Sequence, residues 1–273
     1  WLATVIEDVD GNVPGVLAVD LLSRGVTFSA GQIEQIEAAA AAAASRIDEL
    51  AAKLGSAAAG ASLELAAAYK ESRPARTAEL EAANGGEAPD PMEAAMCKAA
   101  HAVADLSLTA GVPLILKHLI SRRRAPATFE LALRAAYALL GTSLQKGWFG
   151  LRRMLEGGDV APGCDDLVAA IGDAAPTDEG VATADAMLVD VDEAASSALE
   201  ADCLLGFMLL TWVRESSELY KLKKTRAAEE AARAAEEEAA AKAAKEEAAA
   251  KAAEEEAAAT AASETAVDEP KEE

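Results

Sequence analysis

The sequence predicts an all-α fold, and three observations carry that prediction. Alanine, leucine and charged helix formers recur at helical spacing, β-branched alternation is nearly missing, and loop markers fall far apart. The markers are NGGEAPDP at 84–91, RRRAPA at 122–127, EGGDVAPG at 156–163 and GDAAPTDEG at 172–180.

Between these breaks the periodicity predicts helices over 14–22, 30–55, 60–83, 91–122, 126–156, 163–172 and 179–224. Thr177 and Asp178 offer cap-type side chains ahead of the last of them. Pro113 should kink the 91–122 helix, because it has no N–H to give the ladder. The domain organisation follows. Residues 1–13 read as a leader that opens on Trp1 and is expected to lack its own beginning, with any targeting sequence. Residues 14–224 form the helical domain, 225–262 a charged single helix, and 263–273 a disordered acidic tail.

The charged helix is nearly pure Ala, Glu, Lys and Arg. Glu229/Arg233, Glu238/Lys242 and Glu247/Lys251 are acid-then-base pairs at i, i+4, each worth about 0.2–0.5 kcal/mol. No leucine or isoleucine stripe offers a coiled-coil seam, so the segment reads as a spacer or as a docking arm for a protein partner.

Charge excludes one class of partner. A net charge of −22 argues against nucleic acid, whose phosphates demand clustered Lys and Arg. Cys97, Cys164 and Cys203 are widely spaced, form no CxxC pair, and read as reduced thiols of a cytoplasmic protein. The apolar run from Cys203 to Val213 is too short to span a bilayer.

Chemistry is sparse. DVDGN at 8–12 reads as an acidic turn, since an EF-hand loop needs glycine at its sixth position and glutamate at its twelfth. His101 and His118 lie seventeen residues apart, without HExxH or carboxylate spacing. GxSxG, Walker and GxGxxG patterns are all missing. No catalytic residue, metal ligand or cofactor is therefore assigned, and the chain is not read as an enzyme. SRRR at 121–124, with Lys117 before it, is a basic cluster that reads as a solvated loop edge or as a contact for a lipid phosphate.

One stretch breaks the pattern: LQKGWFGLRRMLEGGDVAPGCDDLVAAI, residues 144–171. Trp148 and Phe149 stand side by side, with Arg152 and Arg153 one turn on. Paired aromatics beside arginines suit a water–membrane interface, and equally a core residue flanked by solvated charge.

KGW, then Pro162 fourteen residues past Trp148, then Asp166-Leu167-Val168, follows an ordered pattern. Upstream, DLSLTAGVPLILKHLI (105–120) places Leu108, Gly111, Val112, Leu114 and Ile115 at apolar and glycine positions, and SRIDELAAKL (45–54) adds a third stretch. Together these resemble the glycolipid transfer protein superfamily over most of residues 14–220. The resemblance implies a two-layer helical sandwich around an apolar pocket. It implies binding of a membrane lipid, a sphingolipid or glycolipid, and its transfer between membranes through transient peripheral contact.

The headgroup positions depart from the family. Its Asp–Asn–Lys set, stacking Trp and His fall on Ala42, Arg46, Glu49, Ser107 and Lys146. Without the Trp no flat face remains on which a sugar can stack. Lys146, Arg46 and Ser107 are the residues left to contact a headgroup, and Trp148 and Phe149 to dock the membrane. The competing expectation is a helical interaction scaffold that has lost lipid recognition.

Overall fold

The computed structural model describes residues 2–6, 15–19, 27–84, 90–122, 124–157 and 161–265. The acidic turn at 8–12, Arg123 of the basic cluster and residues 266–273 of the expected tail lie outside them. The described residues are mostly helical, as the sequence predicts, and form two compact units, Trp1–Leu219 and Tyr220–Glu273.

The first unit opens with a correction. Within the expected 14–22 helix, residues 15–19 are a strand: β1 (Leu2–Ile6) and β2 (Gly15–Val19) form an antiparallel hairpin in which Thr4 faces Leu17 and Ile6 faces Gly15. LATVI and GVLAV carry enough β-branched residues to pleat once each has a partner, and one face is half covered, with β1 packed on the helix that follows. Read alone, VLAV looked helical because its pairing partner lies more than ten residues away.

That helix, α1 (Ala30–Asn84), is continuous across the expected break at 56–59. Nothing there stops it, since alanine and serine propagate a helix and Gly55 and Gly60 only weaken it. A capping box starts it. Ser29 Oγ accepts from Gln32 N at 3.3 Å, while Gln32 Oε1 accepts from Ser29 N at 2.9 Å.

The expected 91–122 helix is two, α2 (Pro91–Leu106) and α3 (Val112–Ser121). Pro113 does not kink a helix interior. It sits in the first turn of α3, where a missing N–H costs nothing, and the chain breaks just before it. Asp90 caps α2 by accepting from Met92 N at 2.9 Å. Both helices pack along α1. At Gly111 the backbones come so close that a Cβ there would meet Ala61 Cβ at 2.6 Å.

The core centres on α4 (Ala127–Leu139), whose Phe129, Ala132, Leu133, Ala135, Ala136 and Tyr137 are fully buried. Small residues let its neighbours close in. A Cβ on Gly180 of α7 (Asp178–Leu188) would lie 2.6 Å from Ala138 O, and one on Gly206 would lie 2.9 Å from Phe129 Cδ2. The expected 126–156 helix likewise divides, at Leu140–Lys146, into α4 and α5 (Gly147–Leu155). Gly141 and Gly147 both adopt φ +69°, which glycine reaches without strain. A short α6 (Leu167–Gly172) follows.

Thr177 caps its helix as expected, accepting from Gly180 N at 3.1 Å, but that helix ends at Leu188. Asp192 then caps α8 (Glu193–Asp202), accepting from Ala195 N at 2.8 Å, and α9 (Leu204–Thr265) begins after Cys203. The start of α9 buries Leu205, Met208, Leu209, Trp212 and Val213. Fully burying such a side chain is worth about 1.5–3 kcal/mol.

In the second unit the side chains of α9 that are described are nearly all exposed, and Glu238–Lys242 pairs as the spacing predicts, at 3.0 Å. The helix runs past 262 to Thr265. No helix among the described residues is long and apolar enough to cross a membrane.

Candidate functional site

Two places in the first unit gather chemistry. One is a cleft of about 540 Å³ between α1, α3 and the α8–α9 junction. Leu63, Leu65, Ile115, Leu119, Leu204 and Leu205 give it apolar walls, while Ser62, His118, Arg122, Glu200 and Asp202 supply its polar lining. This volume falls within the roughly 300–1,000 Å³ of small-molecule pockets. Leu63 is 73% exposed, so the apolar wall reaches the surface.

His118 and Arg122 are one turn apart on the same face, with Arg122 Nη2 3.4 Å from His118 Nε2. A guanidinium can only donate, so Nε2 accepts and the ring is neutral. Burial, with the Arg122 charge second, pushes the His118 pKa below its usual value and agrees with that assignment.

Arg122 also fixes the aromatic edge. Its carbonyl accepts from Trp148 Nε1 at 3.1 Å. The indole stands edge-on to buried Phe129, with centroids 6.2 Å apart and planes at 69°. Phe149, the next residue, is 71% exposed. Lys146, Arg124 and Arg153 are exposed, so charge flanks the aromatic edge where the Trp148 bond joins α5's first turn to the α3–α4 loop. Lys117 is drawn to Asp165, 2.7 Å away, and that bond raises its pKa.

The downstream part of the segment is anchored. Tyr137 Oη donates to Pro162 O at 2.7 Å, and burial drives the phenol's pKa far up. Cys164 N donates to Leu155 O at 2.8 Å, and burial lifts the Cys164 thiol to about 11. Asp166 stands at the N-cap position of α6 with no side-chain cap bond.

The three expected headgroup residues do not meet. Arg46 is exposed on α1 and pairs with Glu49, which also accepts from Lys53 at 2.7 Å. Those two bonds, Lys53 first, lower the Glu49 pKa. Ser107, at the C-cap of α2, lies two residues past Asp105, which pairs with Arg76. Arg46 and Arg76 are thirty residues apart on one helix, about 45 Å at 1.5 Å per residue. Because α1 does not break at 56–59, it cannot fold Arg46 back toward Ser107. Lys146 belongs instead to the aromatic edge, at the N-cap of α5.

The second place is a recess of about 210 Å³ where α1, α2 and α9 carry Tyr69, Arg76, His101, Asp105 and Glu215. At its rim, His101 Nε2 lies 2.6 Å from Glu79 Oε2 and 3.7 Å from Cys97 Sγ. The sequence offers no CxxC or HExxH pattern here, so the cysteines and histidines, weighed separately, did not reveal this group. The signal available was Cys97-x-x-x-His101, a helical i, i+4 pair of metal-ligand types.

No known protein family, curated protein or solved structure matches this chain.

Proposed function

We propose that the first unit binds a membrane lipid in the α1–α3–α9 cleft and carries it between membranes, with Trp148 and Phe149 docking the bilayer. The observation that carries this reading is the double role of Arg122. Its side chain edges the apolar cleft and its carbonyl holds Trp148, so entrance and docking edge adjoin. Amphipathic aromatics beside exposed cations suit an interface. Apolar chain burial, at about 0.8 kcal/mol per CH₂, would drive uptake without covalent chemistry.

The likeness of residues 105–120 and 144–171 to the glycolipid transfer protein superfamily supports a sphingolipid or glycolipid as cargo, in a sandwich of that type. With Ser107 in place of the stacking tryptophan, the reading favours lipids recognised by chain and charge over sugar. Lys146 is the headgroup candidate kept, because it stands beside the docking edge.

The test is transfer of a fluorescent sphingolipid between vesicles by the full chain, with native mass spectrometry of what it carries. Phe149→Ala should lower vesicle association several-fold without changing stability. Ala66→Trp, which fills the cleft wall, should abolish uptake but spare association. Transfer unchanged in both variants would defeat the proposal.

A second reading has its own support. Ala132, Ala135 and Ala136 of α4 are fully buried, so that side of the unit is packed rather than hollow. A chain that remains free of lipid after vesicle incubation, while folded, would mark it as an interaction scaffold with α9 as its docking arm.

A further inference from the structure

We infer that Glu79, Cys97 and His101 form a binding site for a single Zn²⁺ ion, clamping α1 to α2. These are carboxylate, thiolate and imidazole ligands, the donor set that suits zinc. Their ligand atoms all lie within 4.8 Å of one another, and this is the one such group among the described residues.

The geometry fits the ion. Zinc bonds of about 2.3 Å to sulfur and 2.0–2.1 Å to nitrogen, held tetrahedrally, separate the two atoms by about 3.6 Å. Cys97 Sγ and His101 Nε2 are 3.7 Å apart, set by one turn of α2. The Glu79 oxygen sits closer to Nε2 than a shared ion would allow, at 2.6 Å, where it now makes a hydrogen bond. A tetrahedral site needs about 3.4 Å between them. The Glu79 side chain is 64% exposed and so free to swing back by that margin.

The surroundings hold the site in place. Arg76 donates to His101 O at 3.3 Å, and its charge is matched by Asp105. The arginine thus braces the ligand-bearing turn and leaves little net charge to repel a cation. Three protein ligands leave a fourth position for water or a partner's side chain. On binding, the Cys97 thiol proton passes to solvent, while the His101 proton moves from Nε2 to Nδ1 and leaves a neutral ring whose Nε2 lone pair takes the metal.

Co²⁺ titration of the chelator-treated full chain tests this, because a thiolate–cobalt charge-transfer band cannot come from surface carboxylates. One Co²⁺ per chain should give that band, and one equivalent of Zn²⁺ should bleach it. Cys97→Ser should remove the band. Glu79→Gln should weaken binding by at least about tenfold, since even residues outside the ligand set cost 10–100-fold. A band that survives Cys97→Ser, or no band at one equivalent, overturns the site. Alkylation of the unaltered chain provides a test that no misfolded variant can spoil. Zn²⁺ should slow modification of Cys97 and leave Cys203 unchanged; equal rates at Cys97 with and without Zn²⁺ overturn the site as well.

Discussion

The indole N–H of Trp148 donates to the carbonyl of Arg122 at 3.1 Å, joining the start of α5 to the end of α3 across twenty-six residues of chain. Trp148 is thus half a structural residue and half a surface one. Trp148→Phe keeps an aromatic ring but leaves that carbonyl without its donor. Urea unfolding should show a loss of about 0.5–1.5 kcal/mol, the net worth of one hydrogen bond.

Acid should loosen the cleft edge. His118 has its pKa lowered by burial, with Arg122 second, so the folded chain binds its proton less readily than the unfolded chain does. Its contribution is intact above the ordinary 6.5 and is lost as pH falls from there through the lower folded value. Denaturation midpoints measured down a pH series should drop in this window, and His118→Gln should flatten the drop.

Tyr137 makes an opposite, alkaline prediction. Its raised pKa means that the unfolded chain ionises first, above the ordinary 10, so stability should fall as pH climbs past that value. Tyr137→Phe should remove this slope. It should also cost about 1–3 kcal/mol at neutral pH if Pro162 O is left buried without a partner.

Gly111→Ala tests how closely α3 approaches α1. The new methyl would sit 2.6 Å from Ala61 Cβ, so one backbone must shift, at about 1–3 kcal/mol. Ala61→Gly in the same chain should restore much of the midpoint, which a generic loss of helix propensity would not.

Helix content was legible because alanine-rich periodicity is a local signal. Thr177 as a cap was legible for the same reason. The boundaries failed where the deciding contact is distant. VLAV became a strand because LATVI lies beside it, and Pro113 became a first-turn residue because the chain breaks at Ser107–Gly111. The cations around Trp148 and Phe149 left core and interface equally open, so neither Phe149's exposure nor Trp148's bond to Arg122 was legible, since nothing local ties Trp148 to Arg122. Glu79 is the sharpest case. It stands eighteen residues before Cys97, and only the antiparallel run of α2 along α1 brings it to His101.

Arg122 has one further consequence. Any occupant of the cleft that pushes its guanidinium aside, and with it the end of α3, changes the free energy of withdrawing Trp148 from the carbonyl. Thermodynamic reciprocity then requires the converse: drawing Trp148 outward must alter the occupant's affinity by the same factor. Under the proposed lipid-carrying function, cargo and bilayer would each read the other through one residue, and the sign of that coupling would decide whether contact with a membrane favours loading or release.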